Sequence, residues 1–111
     1  MKREYRVVVE SAEDYPFDDN TGVGCLFRET WFHGETVHRD FGPAVTLRHP
    51  NTLVAVREEH RDEGRLSRYG GPAIIERHPI SGKKIAEAWF KEGRQVQPLD
   101  PREHPLPFPS M

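Results

Sequence analysis

A repeat of 29 residues constrains the fold of this chain more than any other feature of its sequence. Residues 42–45 (Gly-Pro-Ala-Val) recur as residues 71–74 (Gly-Pro-Ala-Ile), and the Arg-His-Pro of residues 48–50 recurs at residues 77–79. Self-similarity at a fixed spacing is typical of one supersecondary unit that is used several times and stacks on its neighbours. We therefore expect each copy to adopt the same structure.

The residue pattern within a unit predicts strands separated by turns. The Trp-Phe pair of residues 31–32 recurs two offsets later at residues 89–90, and the middle copy holds His-Arg at residues 60–61. A glycine-containing turn follows each pair, and Gly-Pro steps divide the later strands. Although residues 54–66 contain many helix formers, we expect strand there because repeated units share one structure.

These patterns predict an all-β fold, an antiparallel meander of about two and a half 29-residue β-hairpin repeats in a single domain of residues 1–97. The repeats cover about residues 29–58, 59–87 and 88–97, preceded by an N-terminal strand and a polar loop within residues 1–24. Five prolines fall in residues 98–111. Because proline cannot pair in a central strand, we expect an extended Pro-rich tail there.

The composition limits the partners and the compartment. The net charge is only -2 although 31% of the residues are charged, and this balance disfavours a nucleic-acid partner, which needs a basic surplus. No apolar run is longer than residues 53–56, so we expect no membrane partner. The single cysteine, Cys25, cannot form an internal disulfide and fits a cytoplasmic location. We expect Cys25 to pack in the core.

The six histidines are the strongest candidates for a metal site, but their spacing does not favour one. Zinc requires three or four converging ligands, whereas His49 and His78 precede proline in equivalent turns a full repeat apart. The glycines of residues 22–24 lack the third glycine of a dinucleotide-binding loop. We expect turn or surface roles for the histidines, and no catalytic residue, metal or other cofactor.

The recurring glutamates are predicted to belong to the scaffold. Glu29, Glu58 and Glu87 share the strand parity of the aromatic position two residues later, because side chains alternate with a period of two. A carboxylate that faces inward must be paired and hydrogen-bonded. We expect Arg39 and Arg68, which also recur, to pair with these glutamates across the hairpins.

Two further sets of recurring residues are also assigned to the scaffold. Trp31 and Trp89 are predicted to be core aromatics. Gly42 and Gly71 are predicted to hold a turn geometry that side chains disfavour, since glycine tolerates positive φ. The prolines that follow these glycines are Pro43 and Pro72.

The segment from Trp31 to Ala44 reads Trp-Phe-His-Gly-Glu-Thr-Val-His-Arg-Asp-Phe-Gly-Pro-Ala. It resembles a MORN-type repeat, in the variant with a Trp-aromatic-x-x-Gly start and a His-Arg-x-x-Gly-Pro-Ala end that occurs in short bacterial and phage proteins. The resemblance extends from Glu29 to Val96, although the period is longer and the middle copy lacks the aromatic pair. It implies stacked β-hairpins and a binding or scaffold role, sometimes as an antitoxin, and it identifies no site.

Size, the repeat scaffold and the lack of catalytic groups favour a small non-enzymatic module that binds another protein. We expect an inhibitor of the immunity or antitoxin type, or of the phage anti-defence (anti-CRISPR-like) type. One alternative is a structural repeat module that self-associates through its edge strands into a homo-oligomer. A second alternative is a metal-dependent hydrolase that uses the histidines.

The predicted partner-binding residues are aromatics and carboxylates that do not recur. Phe41 is one, because the second copy has Gly70 at the equivalent position. Exposed aromatics in polar loops are typical of interface hot spots, and acidic neighbours would steer a basic partner. The competing interpretation is that Phe41 caps the end of the sheet. The other candidates are Tyr15, Phe17, Asp18 and Asp19.

Overall fold

A computed structural model of the chain describes residues 4–12 and 26–98. These residues form an all-β structure with an antiparallel meander sheet, as the repeat predicts. The strands are β1 (Arg6–Ala12), β2 (Leu26–His33), β3 (Thr36–Val37), β4 (Val45–Arg48), β5 (Ala55–Glu59), β6 (Arg61–Asp62), β7 (Arg65–Leu66), β8 (Ile74–Arg77), β9 (Lys84–Lys91) and β10 (Arg94–Val96). No helix occurs within this part of the chain.

The strand bounds follow the 29-residue period of the sequence. The long strands begin at residues 26, 55 and 84, and β4 and β8 begin at residues 45 and 74. The main sheet has the order β1-β2-β4-β5-β8-β9-β10, with β3 paired to β2. Residues 54–66 form β5, β6 and β7, so the tertiary pairing overrides the local helix propensity of this segment.

Two-residue turns close the hairpins, and the glycine takes the second turn position in two of them and the first position in the other. Glu63 and Gly64 have φ of 51° and 84°, and Glu92 and Gly93 have nearly the same values. Two successive positive φ angles are typical of the type I′ turn, which matches the right-handed twist of the strands. In the first hairpin the glycine, Gly34, stands one place earlier and has φ of 65°.

Successive hairpins are joined at these turns by backbone hydrogen bonds. The N–H of Gly64 donates to the Val37 carbonyl at 2.9 Å, and the N–H of Gly93 donates to the Leu66 carbonyl at 2.8 Å. Both bonds link a turn to the short strand of the preceding unit. Each hairpin therefore needs its predecessor to satisfy its turn, which is what makes the units stack.

The buried apolar core is small and is formed by β1, β2, β4 and β5. Ala12, Leu26, Leu47 and Val56 form one buried cluster, with Val54 packed against it. The two tryptophans are not members of this cluster, and both are only half-buried. The prediction that Trp31 and Trp89 are core aromatics is therefore wrong, since aliphatic side chains fill the buried cluster instead.

The His-Pro turns are built around a histidine ring. Nδ1 of His49 accepts hydrogen bonds from the N–H groups of Asn51 and Thr52, both at 3.1 Å. His78 does the same in the equivalent turn, where the N–H groups of Ile80 and Ser81 donate at 3.1 and 3.2 Å. The predicted turn role of these two histidines is confirmed. They differ in burial, since His49 is 1% exposed whereas His78 is exposed.

We expect His49→Ala to lower the free energy of unfolding by about 2–4 kcal/mol, because two turn amides lose their acceptor and a buried ring leaves a cavity. His78→Ala is the matched control, since it removes the same hydrogen bonds at an exposed position, and about 1 kcal/mol is expected there. Urea unfolding of both variants measures the difference. Equal losses of unfolding free energy in the two variants would show that burial of the histidine does not determine how much this turn stabilises the protein.

Candidate functional site

A concave surface of about 580 Å³ lies at the hairpin end of the sheet. The loops after β3 and β7 form most of its lining, together with the start of β6 and the last turn. Its aromatic and basic lining residues are Phe41, Tyr69, His38, His60, Arg39, Arg61, Arg68 and Lys91. Because the two loops are equivalent in the repeat, the surface combines a recurring framework with side chains that differ between copies.

Arg39 and Arg68 hold these loops in shape. The guanidinium of Arg39 lies 3.7 Å from the centroid of the Trp31 ring, a cation–π contact, and its Nη1 donates to the Pro43 carbonyl at 3.3 Å. Nη1 of Arg68 donates to the Pro72 carbonyl at 3.2 Å. Each arginine therefore binds the loop that follows it rather than a glutamate.

The recurring glutamates lie in one row across the sheet, but the predicted pairing of these glutamates with Arg39 and Arg68 is wrong. Glu29 accepts a hydrogen bond from Nε1 of Trp31 at 3.2 Å. Glu58 forms an ion pair with Arg77 of the neighbouring strand β8. Glu87 is bound by Nζ of Lys84 at 2.9 Å, and this bond lowers the pKa of its carboxyl. The partners that the structure gives these carboxylates are therefore residues of the sheet and not the arginines of the loops.

Two glycines make room for the loop arginines, and only one of them has unusual backbone geometry. A Cβ atom at Gly42 or at Gly71 would lie 3.0 Å from the guanidinium carbon of Arg39 or Arg68. Gly42 has φ of 113°, but in the second loop the positive φ belongs to Gly70 instead of Gly71. The prediction of positive φ is therefore wrong for Gly71, where the close arginine explains the glycine.

Two aromatic side chains project from the equivalent loops into solvent. Phe41 is 89% exposed and Tyr69 is 86% exposed. This exposure removes the interpretation in which Phe41 caps the sheet. Sequence reasoning missed Tyr69, although an aromatic residue in the loop equivalent to that of Phe41 was a sufficient signal. The other predicted contacts, Tyr15, Phe17, Asp18 and Asp19, lie outside the described residues, as does Cys25.

His38 is the one buried titratable group that lines this surface, at 4% exposed, and both of its ring nitrogens are engaged. Nδ1 accepts the N–H of Glu63 at 3.0 Å, so Nε2 carries the proton and donates to Oδ1 of Asp40 at 2.8 Å. In the next unit Oγ of Ser67 accepts the N–H of Glu92 in the same way. His38 therefore ties two hairpins together, and the predicted turn or surface role is wrong for it.

Within the described residues, the carboxylates of Asp62 and Glu63 complete one group with His38 whose geometry could hold a metal ion. The two acidic side chains are exposed, and Nδ1 of His38 is the atom that already binds the Glu63 backbone. Since a metal would compete with that hydrogen bond, the arrangement favours the structural role of His38.

In the middle copy of the repeat, His60 stands where the other two copies have the tryptophan of the Trp-Phe pair. It lies between the two loops. Burial of the ring, together with the positive charges of Arg68 and Arg39, lowers the pKa of His60 to about 4. The ring is therefore neutral at pH 7 and offers the concave surface a hydrogen-bonding group without charge.

A second concave surface, of about 560 Å³, is lined by Arg28, Arg57 and Arg61. Glu59 binds both Arg57, at 2.9 Å, and Arg61, at 2.8 Å. Burial acts to raise the pKa of the Glu59 carboxyl, but the hydrogen bonds from the two arginines hold it below its usual value. Arg28 lies 3.7 Å from Glu10. The charges on this surface are matched, so the concavity with the exposed aromatics is the better binding candidate.

Comparison of the chain with protein-family models, with curated proteins and with solved structures finds no match. Residues 4–12 and 26–98 contain no helix with the length and apolar character that crossing a membrane requires.

We expect Gly42→Ala to destabilise the protein by about 1–3 kcal/mol, because its φ of 113° is strained for any residue with a Cβ atom. Gly71→Ala is the matched control, since the exposed Arg68 side chain can move aside, and we expect less than about 1 kcal/mol there. Thermal unfolding of the two variants measures both effects. A larger loss for Gly71→Ala would contradict this explanation of the loops.

We expect His60 to make the stability fall with acidification between pH 7 and pH 5. In the unfolded chain a histidine with a pKa near 6.5 binds a proton that folded His60, with a pKa of about 4, does not bind. The loss amounts to about 2 kcal/mol at pH 5. Urea unfolding of the wild type and of His60→Gln at both pH values isolates this contribution. Parallel pH dependences of the two proteins would contradict it.

Proposed function

We propose that this chain is a small non-enzymatic module that binds another protein through the concave surface of its hairpin loops. The observation that carries the proposal is the pair of aromatic side chains, Phe41 and Tyr69, that are almost fully exposed in equivalent loops. Aromatics and arginines are enriched at protein interfaces and dominate their hot spots. Because the two rings stay exposed in the folded chain, they contribute little to its stability, and this favours a role in binding.

The rigidity of the loops supports the same proposal. Arg39 binds both the Trp31 ring and the Pro43 carbonyl, and Arg68 binds the Pro72 carbonyl. These contacts fix the backbone on which Phe41 and Tyr69 stand. A preorganised surface binds more tightly because less conformational freedom is lost on association.

The charges around the aromatics favour a partner with both acidic and basic groups. Arg39, Arg61, Arg68 and Lys91 line the surface, together with Asp40, Asp62 and Glu92. Most of these groups are exposed, and exposed charges mainly set the association rate and the choice of partner.

Within this class we propose an inhibitor of the immunity, antitoxin or phage anti-defence type, which the small size and the repeat scaffold favour; the resemblance to MORN-type repeats implies a binding or scaffold role, sometimes as an antitoxin. A rigid sheet that presents a few aromatic anchors can block a partner's surface without any chemistry of its own. The buried His38 supports a scaffold role over a hydrolytic one, because both of its ring nitrogens are engaged in hydrogen bonds that hold the hairpins together.

We expect the double variant Phe41→Ala/Tyr69→Ala to lose the partner while its melting temperature stays within about 2 °C of the wild type, because exposed side chains contribute little to stability. Affinity purification of the tagged wild type and variant from the native host, with quantitative mass spectrometry, measures the difference. A protein recovered in stoichiometric amount with the wild type alone is the expected result.

The matched control is Leu53→Ala/Ile80→Ala, which removes two exposed apolar residues from the His-Pro turns instead. This control should retain the partner. Equal recovery with all three proteins, or loss with the control alone, would contradict the assignment of the binding surface to the hairpin loops.

A further inference from the structure

Each of the two loops that form the concave surface holds an arginine whose guanidinium has no acidic partner. Arg39 is bound by the Trp31 ring and the Pro43 carbonyl, and Arg68 is bound by the Pro72 carbonyl. Among the described residues, no carboxylate forms an ion pair with either arginine. A guanidinium carries five N–H donors in a fixed fork, so both groups retain donors for a further acceptor.

The acidic groups of the same surface do not neutralise these two arginines. Oδ1 of Asp40 is bound by Nε2 of His38 at 2.8 Å, and its Oδ2 accepts the Tyr5 hydroxyl at 2.7 Å. The basic group that does have a carboxylate partner is Arg61, whose guanidinium lies 2.8 Å from Glu59. The loop arginines therefore leave uncompensated positive charge in the concavity.

The His60 ring relates the two guanidinium groups to each other. The ring hydrogen-bonds to the backbone of Gly42, and a Cβ atom at Gly42 would lie 3.0 Å from the guanidinium carbon of Arg39. The charges that act on this ring are those of Arg68 and Arg39, both positive, and that of Glu58. Both guanidinium groups therefore lie near one uncharged ring in the same concavity.

Two positive groups in this arrangement match the chemistry of a carboxylate. A carboxylate has two oxygens that can each accept from a different guanidinium, and charge-assisted hydrogen bonds of this kind are the strong ones. Each guanidinium is already oriented by its own loop, so little freedom is lost when a second acceptor binds. Phe41 and Tyr69, which are 89% and 86% exposed, stand in the same two loops. A partner that covers these rings excludes water from the ion pair, which strengthens it.

We propose that the partner protein inserts an acidic side chain, an aspartate or a glutamate, between the two loops, where its carboxylate binds the guanidinium groups of Arg39 and Arg68. This inference rests on the proposed function and adds to it the chemistry of the central contact. The exposed aromatic rings supply the apolar contacts around the acidic side chain. The surface thus recognises an acidic residue that stands among apolar ones.

Binding of a carboxylate here changes the titration of His60. Burial and the positive charges of Arg68 and Arg39 hold the pKa of His60 at about 4, whereas Glu58 and the Gly42 backbone act to raise it. A carboxylate beside the arginines offsets their charge, so it raises the pKa of His60. By linkage, protonation of His60 tightens the binding of the carboxylate as the pH falls.

The probe is the acetylated and amidated peptide Gly-Gly-Glu-Gly-Gly, titrated into the full chain and followed by NMR. We expect saturable shifts of the guanidinium Hε resonances of Arg39 and Arg68 at millimolar peptide, and a rise in the measured pKa of His60. The peptide with glutamine in place of glutamate should cause neither change. This comparison uses the wild-type chain alone and does not depend on the folding of any variant.

Arg68→Gln should weaken binding of the glutamate peptide roughly fivefold, because one of the two charged donors is lost. Arg94→Gln is the matched control, since it removes the same charge from an exposed residue of β10 that does not line the surface. This control should change the affinity by less than about twofold, because exposed charges at a distance are screened by salt. Melting temperatures of both variants check that the fold is kept.

Three outcomes overturn the proposal. One is an equal response to the glutamate and glutamine peptides, and another is equal weakening by Arg68→Gln and Arg94→Gln, which would reduce the attraction to net charge. The third is saturable binding of the peptide with phosphoserine at the central position but not of the glutamate peptide, which would make the ligand a phosphoryl group.

The proposed function fails on a different measurement, the recovery of a partner from the native host. Loss of the partner in Phe41→Ala/Tyr69→Ala without any response to the glutamate peptide would keep the binding surface and remove its acidic contact. Retention of the partner in that double variant, together with saturable binding of the glutamate peptide, would overturn the proposed function and keep the carboxylate site.

Discussion

The hydrogen bonds between successive hairpin turns are the interaction on which the rest of this structure depends. Gly64 and Gly93 each donate to the short strand of the preceding unit, and the N–H groups of Glu63 and Glu92 bind His38 and Ser67. A two-residue turn leaves its amides facing outward, and here the preceding unit supplies their acceptors. Stacking satisfies these amides, so each unit is complete only beside another.

This dependence explains how a chain with few large apolar residues in its interior holds its shape. The buried cluster consists of Ala12, Leu26, Leu47 and Val56 and contains no aromatic ring. Much of the remaining order comes from polar groups with defined partners, such as His49 in its turn and Arg39 between Trp31 and Pro43. Directional contacts of this kind fix geometry more than they add free energy.

The dependence of each unit on its neighbour has two consequences at the surface. Among the described residues, the last long strand, β9, has a neighbouring strand on only one side of Lys84–Ala88. The recurring Arg39 and Arg68 hold the loops, whereas the exposed Phe41 and Tyr69 do not recur between the copies. Binding surfaces in repeat proteins arise in this way, because the framework residues hold the shape while the exposed ones determine recognition.

The sequence by itself determined the all-β class, the strand positions and the turn role of His49 and His78, because period, turn residues and His-Pro steps act over a few neighbouring residues. The tertiary structure alone decided the partners of the charged groups. Glu58 and Arg77 are 19 residues apart, and His38 meets Glu63 across 25. Arg39 and Glu29 share a hairpin yet bind other groups. Strand parity tells which side a carboxylate faces, but its partner depends on the neighbours there: an arginine of the next strand for Glu58, and a residue of the same strand for Glu29 and Glu87.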